Sequence, residues 1–250
     1  MENSLVIAFT SLYGLAAGLF LVPKTRSGAF ACAFLGEIAA LGYIFLRYYQ
    51  ALPMTPMFLG SIAVPPFLVL FGFSAARKYK EPFPNRLSLT LTLGLAFVLG
   101  LLALIFPKDF YLPFLKTASL FSQGHLAFNV LGKAALFLAA IQAFLSLTAK
   151  IPNESQVRFW VALGFIFWTL SMLTGEVWSY LGWGLPVVWD DAVIVCFMAT
   201  WFFYVALLHM FLTSRYRRAR LYLTALGGVW VLLVNVTPDL GPARWPVALW

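Results

Sequence analysis

The sequence predicts an all-α integral membrane protein: a bundle of about eight transmembrane helices with both termini on the outer, periplasmic side. Three observations lead there. Of the 250 residues, 62% are hydrophobic and only 10% charged, well below the roughly 25% charged residues of a soluble domain. The apolar residues gather in eight runs, each close to the ~20 residues a helix needs to cross a hydrocarbon core. The basic residues collect in alternate connections, the mark of cytoplasmic loops. Helices are expected in every run, because a lone strand in lipid leaves its backbone polar groups unpaired.

The first run, 4–22, lacks a basic leader and a small-residue cleavage site, so a retained helix is expected rather than a signal peptide. The second, 28–49, carries Glu37 near its middle. The third, 57–75, contains Pro65 and Pro66; these predict a kink, since proline removes a backbone donor and crowds the preceding turn. The fourth, 88–106, is followed by a long connection from Pro107 to Gly124. The fifth, 125–147, opens on His125 and holds Lys133; the sixth, 158–175, leads into an aromatic connection. The seventh, 192–213, has His209 late in its course, and the eighth is 221–237.

The first, third, fifth and seventh connections contain Lys24, Arg26, Arg77, Lys78, Lys80, Arg86, Lys150, Arg158, Arg215, Arg217, Arg218 and Arg220, twelve of the 17 Lys and Arg residues. Arg47, Lys108, Lys116 and Arg244 lie on the opposite side. The positive-inside rule therefore orients the chain. No soluble domain, repeat or low-complexity linker is visible, so residues 1–250 read as a single polytopic membrane domain.

Several function classes are excluded. The basic residues sit in short loops rather than on a soluble face, which points to membrane lipid and not to nucleic acid. Cys32 and Cys196 fall inside apolar runs and read as small buried hydrophobes, and no CxxCH is present, so a disulfide and a c-type cytochrome are both unexpected. No hydrolase, kinase or metalloprotease signature occurs, and two histidines are too few for a zinc cluster.

The polar residues inside the spans are candidate site residues. Counting inward at about 1.5 Å per residue puts Glu37 and Lys133 near the midplane, where a lone charge costs at least a few kcal/mol. They suit a structural ion pair, a neutral glutamate beside a snorkelling lysine, or a proton relay. His125 and His209 are the chain's only histidines. Imidazole binds haem iron or zinc, and also serves as an interfacial hydrogen-bonding group. Both helices descend from the outer face, which separates the two rings by roughly 25 Å along the normal. They cannot ligate one iron together.

The aromatic connection, Glu176 to Asp191, reads EVWSYLGWGLPVVWDD. It suits an interfacial belt. It equally suits a platform for a large planar aromatic such as porphyrin, by stacking and apolar burial, with Lys116, Arg47 and Arg244 as the cations available to propionates.

The longer stretch from GFIFWTLSMLTGEVWSYLGWGLPVVWDD through ATWFFYVALLH resembles the haem-handling cytochrome c assembly family of the CcsA/CcmC type. Thr174, Gly175 and Trp178 match its TG-x-x-W turn, Trp183 and Gly184 its WG, Trp189 and Asp190 its WD, and His209 the histidine ending the next helix. HLAFNVLGKAALFLAAIQAF resembles the family helix that begins with an external histidine, placing His125 there. The resemblance covers roughly residues 120–237, with 176–191 as the external tryptophan-rich segment.

The resemblance implies an inner-membrane protein that binds haem (haem b) and presents it on the tryptophans at the outer face. An apocytochrome c or a haem chaperone would receive it. His209 would ligate an inner, membrane-embedded haem and His125 an external one; any enzymatic role would be as part of a haem-attachment system. Two departures stand out: Val187 replaces the motif's middle tryptophan, and Asp191 begins the replacement of the usual proline and lysine. The tail VNVTPDLGPARWPVALW also lacks the family's second external histidine, so either a partner membrane subunit supplies that ligand, or the external site is five-coordinate, or haem handling has been lost. Alternative readings are a diverged, non-catalytic subunit of a larger redox complex, a regulator of haem synthesis, or a transporter using Glu37 and Lys133.

Overall fold

The computed structural model describes residues 2–51, 59–107, 119–149, 151 and 153–240. Among the described residues all regular structure is helical, and eight helices are long and apolar enough to cross a membrane. The protein is thus an all-α, multi-pass membrane protein. The described helices group into two compact units, one within residues 2–51 and 59–107 and the other within residues 119–239.

The first unit contains α1 (Glu2–Leu21), α2 (Arg26–Ala51), α3 (Leu59–Ala76) and α4 (Pro82–Ile105). Helix α1 packs on α2 and α4, and α3 on α4. Without a hydrophobic drive between helices in lipid, small residues at the contacts let backbones approach. Gly36 of α2 seats the Tyr13 ring and Gly100 of α4 seats Thr10, both from α1. The α1–α2 turn is tied down by Thr25, whose Oγ1 donates to the Leu19 carbonyl at 2.7 Å. The third helix runs without interruption through Pro65 and Pro66, since buried neighbours in a membrane bundle hold a helix together where two backbone donors are missing. Helix α4 starts at Pro82, six residues before the apolar run at 88, because proline suits the first helical position, whose N–H needs no partner.

The second unit contains α5 (Leu120–Thr148), α6 (Glu154–Trp183), α7 (Ala192–Met210) and α8 (Arg217–Val231), the last continuing as a π-helical turn over Leu232–Val236. Helix α5 is the core: Ala134, Ala135, Leu136, Leu138, Ala139 and Ala143 are fully buried, whereas α7 buries only Thr200, Tyr204 and Leu207. Thr200 joins α7 to α8. Its hydroxyl donates to the Cys196 carbonyl at 2.9 Å and accepts from Trp230 Nε1 and Asn235 Nδ2, each at 2.8 Å, which fills its one donor and two acceptor positions. The π-turn supplies Asn235 to this cluster. Cys32 and Cys196 are free and half-buried rather than fully buried.

At the other end of the unit, Asn153 precedes α6 and reaches back to α5, donating to Gln142 Oε1 at 2.9 Å and accepting from Ser146. Arg220 of α8, only 6% exposed, ion-pairs with Glu154 and donates to the carbonyls of Met210 at 3.2 Å and Thr213 at 2.6 Å. Arg217 contacts the same carboxylate at 2.9 Å. One arginine thus fastens the turn that follows α7 to the start of α6.

Candidate functional site

Helix α5 begins at Leu120, not at His125, because Ser119 and Ser122 form a reciprocal capping box. Residues 108–118 of the long connection lie outside the described residues, and its last five, 120–124, are helical. His125 therefore stands in the second turn of α5, where α6 can reach it. Its Nδ1 lies 2.9 Å from the Ser171 carbonyl. The Ser171 hydroxyl lies 3.1 Å from the same nitrogen and donates to the His125 carbonyl at 3.0 Å. A carbonyl oxygen only accepts, so Nδ1 carries the proton, and in the neutral ring Nε2 holds the lone pair. That is the tautomer of a histidine supported to bind a metal.

Ser171 belongs to a stripe on α6. Gly164, Trp168, Ser171, Gly175 and Trp178 recur at alternating spacings of four and three residues, which places them on one helix face. Each meets α5. Gly164 lies against Leu136 and Trp168 beside Gly132. Trp178 is 9% exposed, and its ring centroid is 5.6 Å from that of His125. At Gly175 a Cβ would stand 2.7 Å from His125 Nδ1, so only glycine admits the imidazole. From α7, Phe197 lies 6.0 Å from the His125 ring and stacks on Trp168 at 4.0 Å. Sequence reasoning named Trp178 and matched Gly175 to a turn, but missed Ser171 and Phe197; the four–three stripe was the available signal for Ser171.

The aromatic connection is shorter than the sequence suggested. Helix α6 continues through Trp183, so 176–183 is helical and only 184–191 links α6 to α7. Nothing in VWSYLGW stops a helix, the one internal glycine costing about 1 kcal/mol. The stop comes at Gly184, whose φ of +76° gives a left-handed cap and whose N–H donates to the Tyr180 carbonyl at 2.9 Å. Ser179 Oγ donates to Leu185 O at 2.7 Å and folds the linker back. Asp191, a departure from the family motif, is the N-cap of α7, its Oδ1 accepting from Val193 N–H at 2.8 Å.

Trp183 packs edge-on to Trp178 at 5.5 Å. It is 53% exposed, Trp189 is 64% exposed, and Asp190 is exposed beside it. The order along the segment is thus one buried tryptophan against His125, then two open ones.

His209 stands one residue before the end of α7. It is exposed, with Nδ1 2.8 Å from the Val205 carbonyl four residues back, so that Nδ1 is the donor here too. Because Phe197 shares the level of His125, the twelve residues from Phe197 to His209 separate the two rings by about 18 Å along α7. The structure does not bring the histidines together. Glu37 and Lys133 fall in different units. Glu37 accepts from Tyr13 Oη at 2.8 Å within the first unit, and Lys133 is 2% exposed in α5. Of the cations considered for propionates, Arg47 is in α2, while Lys116 and Arg244 lie outside the described residues.

Comparison with known proteins closes the question of kinship. The chain is 29% identical over 152 residues to the cytochrome c biogenesis protein CcsA of Lactuca sativa, covering 55% of this chain and 45% of that one. It is 34% identical over 74 residues to CcsA of Prochlorococcus marinus subsp. pastoris, covering 30% of this chain and 23% of the relative. The chain therefore spans less than half the length of these relatives. The solved structure of the cytochrome c haem lyase CcmF superposes with a TM-score of 0.78 at 19% identity, over 99% of this chain and 47% of that one; at that identity the match speaks for the fold. The family model described as cytochrome C assembly protein matches residues 29–236, wider than the 120–237 its motifs marked, and the chain belongs to the cytochrome C assembly protein family.

Proposed function

We propose that this chain is a haem-handling membrane protein that presents haem at the outer face for cytochrome c assembly. The orientation, with both termini and the tryptophan segment outside, follows from the basic loops. The membrane would be the inner (cytoplasmic) one, and haem b the cargo. One observation carries the reading: His125 Nδ1 lies 2.9 Å from the Ser171 carbonyl, an arrangement that would turn Nε2 to an iron, and Trp178 and Phe197 both lie near the ring.

Bound haem would supply an iron for a histidine Nε2. The chain's own groups hold the imidazole in one tautomer, wall it with aromatic rings and leave Trp183 and Trp189 open to a flat apolar face. His209 would serve a second, inner haem. Trp178, Trp183, Gly184, Trp189 and Asp190 would shape the outer site, within a working core of residues 120–237. Neither histidine has a second ligand from the other, so a partner membrane subunit would complete the coordination, and an apocytochrome c or haem chaperone would take the cargo.

The test is haem content of the purified protein, read from its Soret band and by pyridine haemochrome. His125→Ala and His209→Ala should each remove part of the haem, and the double variant nearly all. Unchanged absorbance in both single variants would overturn the proposal. Val187, in place of the motif tryptophan, favours a second reading, a non-catalytic subunit of a larger redox complex. That reading expects deletion to leave cytochrome c maturation intact.

A further inference from the structure

The first unit contains a cleft of about 720 Å³ between α2, α3 and α4, a volume within the roughly 300–1,000 Å³ of ligand sites. Its walls are apolar and open. Phe34 is 65% exposed, Leu70 40% and Phe30 37%, and Phe30 stacks on Phe73 across the α2–α3 gap at 5.9 Å. At one end stand Arg26, opening α2, and Arg77, directly after α3, with Asn85 of α4 beside them. The Arg26 guanidinium lies 5.5 Å over the Phe30 ring. Among the described residues neither arginine is paired with a carboxylate. Asn85 donates to the Ala76 carbonyl at 2.7 Å, while its buried Oδ1 has no hydrogen-bond partner.

Glu37 lines the cleft eleven residues beyond Arg26, about 16 Å along α2, or half of a ~30 Å hydrocarbon core. The cleft thus runs from a cationic end to the middle of a span, with apolar side chains along its length. Lys24, Lys78 and Lys80 in the adjoining connections and Arg86 near the start of α4 raise the positive potential at the same end.

We propose that this cleft binds an anionic phospholipid, its phosphate held by Arg26 and Arg77 and an acyl chain laid along Phe34, Leu70 and Phe73. Two guanidiniums without a carboxylate partner among the described residues, at the end of an open apolar groove, match a molecule with one anionic and one apolar end. Arginine forks suit phosphate oxygens, and basic pockets between transmembrane helices hold anionic headgroups. A zwitterionic lipid would bring a quaternary amine to the same cations and lose most of that attraction. Glu37 closes the inner end, hydrogen-bonded to Tyr13, and takes no part in holding the headgroup. The site is independent of the haem reading, since both histidines belong to the second unit.

The experiment is native mass spectrometry of the purified full chain, offered dioleoyl phosphatidylglycerol and dioleoyl phosphatidylcholine in equal amounts. Wild type should retain the phosphatidylglycerol preferentially. Each cation near a headgroup is worth about fivefold in affinity, so Arg26→Gln with Arg77→Gln should lower retention about thirtyfold. The Lys pair at the same positions should keep most of it. Leu70→Trp fills the groove without altering charge and should also expel the lipid; it decides the matter if the Gln pair melts early. Equal retention of the two lipids by wild type, or unchanged retention in the Gln pair and in Leu70→Trp, would overturn the proposal. So would loss of phosphatidylglycerol in Glu37→Gln, which would mark a ligand bonded to the carboxylate instead.

Discussion

His125 and His209 offer the same ring nitrogen by different means. At His125 the proton on Nδ1 is fixed by a carbonyl of another helix, and the ring is enclosed by Ser171, Gly175, Trp178 and Phe197. At His209 the carbonyl belongs to its own helix, and the ring is exposed. The first site is a product of tertiary packing and exists only if α5 and α6 meet correctly. The second is made by one turn of helix, and what is clamped there is the turn behind it, through Arg220. The surroundings of His125 are therefore sensitive to packing and those of His209 to their anchor.

The largest test of that contrast is Gly175→Leu. The new side chain would occupy the imidazole's place, and overpacking of this kind destabilises by about 3 kcal/mol. Thermal melting should show it, and haem dependent on His125 should vanish while haem dependent on His209 persists. Equal loss at both sites would erase the distinction between them. Arg220→Met comes next. It strands Glu154, which keeps Arg217 and some exposure, so about 2 kcal/mol is expected rather than the larger cost of a fully buried pair. Here the His209-dependent haem should weaken first.

Ser171→Ala leaves the carbonyl in place and removes only the hydroxyl. Loss of a supporting contact to a ligating histidine lowers metal affinity about tenfold, so, on the proposed function, a haem titration should register a shift at His125 alone. The smallest effect is Asp191→Ala. It removes the cap of α7 and should cost about 1 kcal/mol, seen in melting, with both proposed haem sites unaffected.

Much of the fold was legible because lipid leaves the backbone few choices: length and apolarity alone give eight helices. What escaped were the ends, and for local reasons. Apolar runs mark where lipid begins, whereas Ser119–Ser122, Pro82 and Gly184 mark where helices begin and stop. The candidate site was half legible. Composition singled out two histidines and a knot of tryptophans, and motif order placed them. The grip on His125 was harder to see, since Ser171 and Gly175 are ordinary residues until their four–three spacing is set against α5. Asp191, a departure from the motif, acts as a helix cap, a role any short polar residue at that boundary would suggest.

Helix α6 is also a ruler. Its 30 residues measure about 45 Å, and one continuous rod carries both the face that grips His125 and the open Trp183. Height and heading of that tryptophan are thus set by residue count. One residue inserted after Trp178 would swing Trp183 through about 100° and lift it about 1.5 Å, while seven would return it to nearly the same heading about 10 Å farther out. Length changes between Trp178 and Trp183 would therefore keep the heading of Trp183 only in whole heptads, so this short interval sets how far that tryptophan stands from His125.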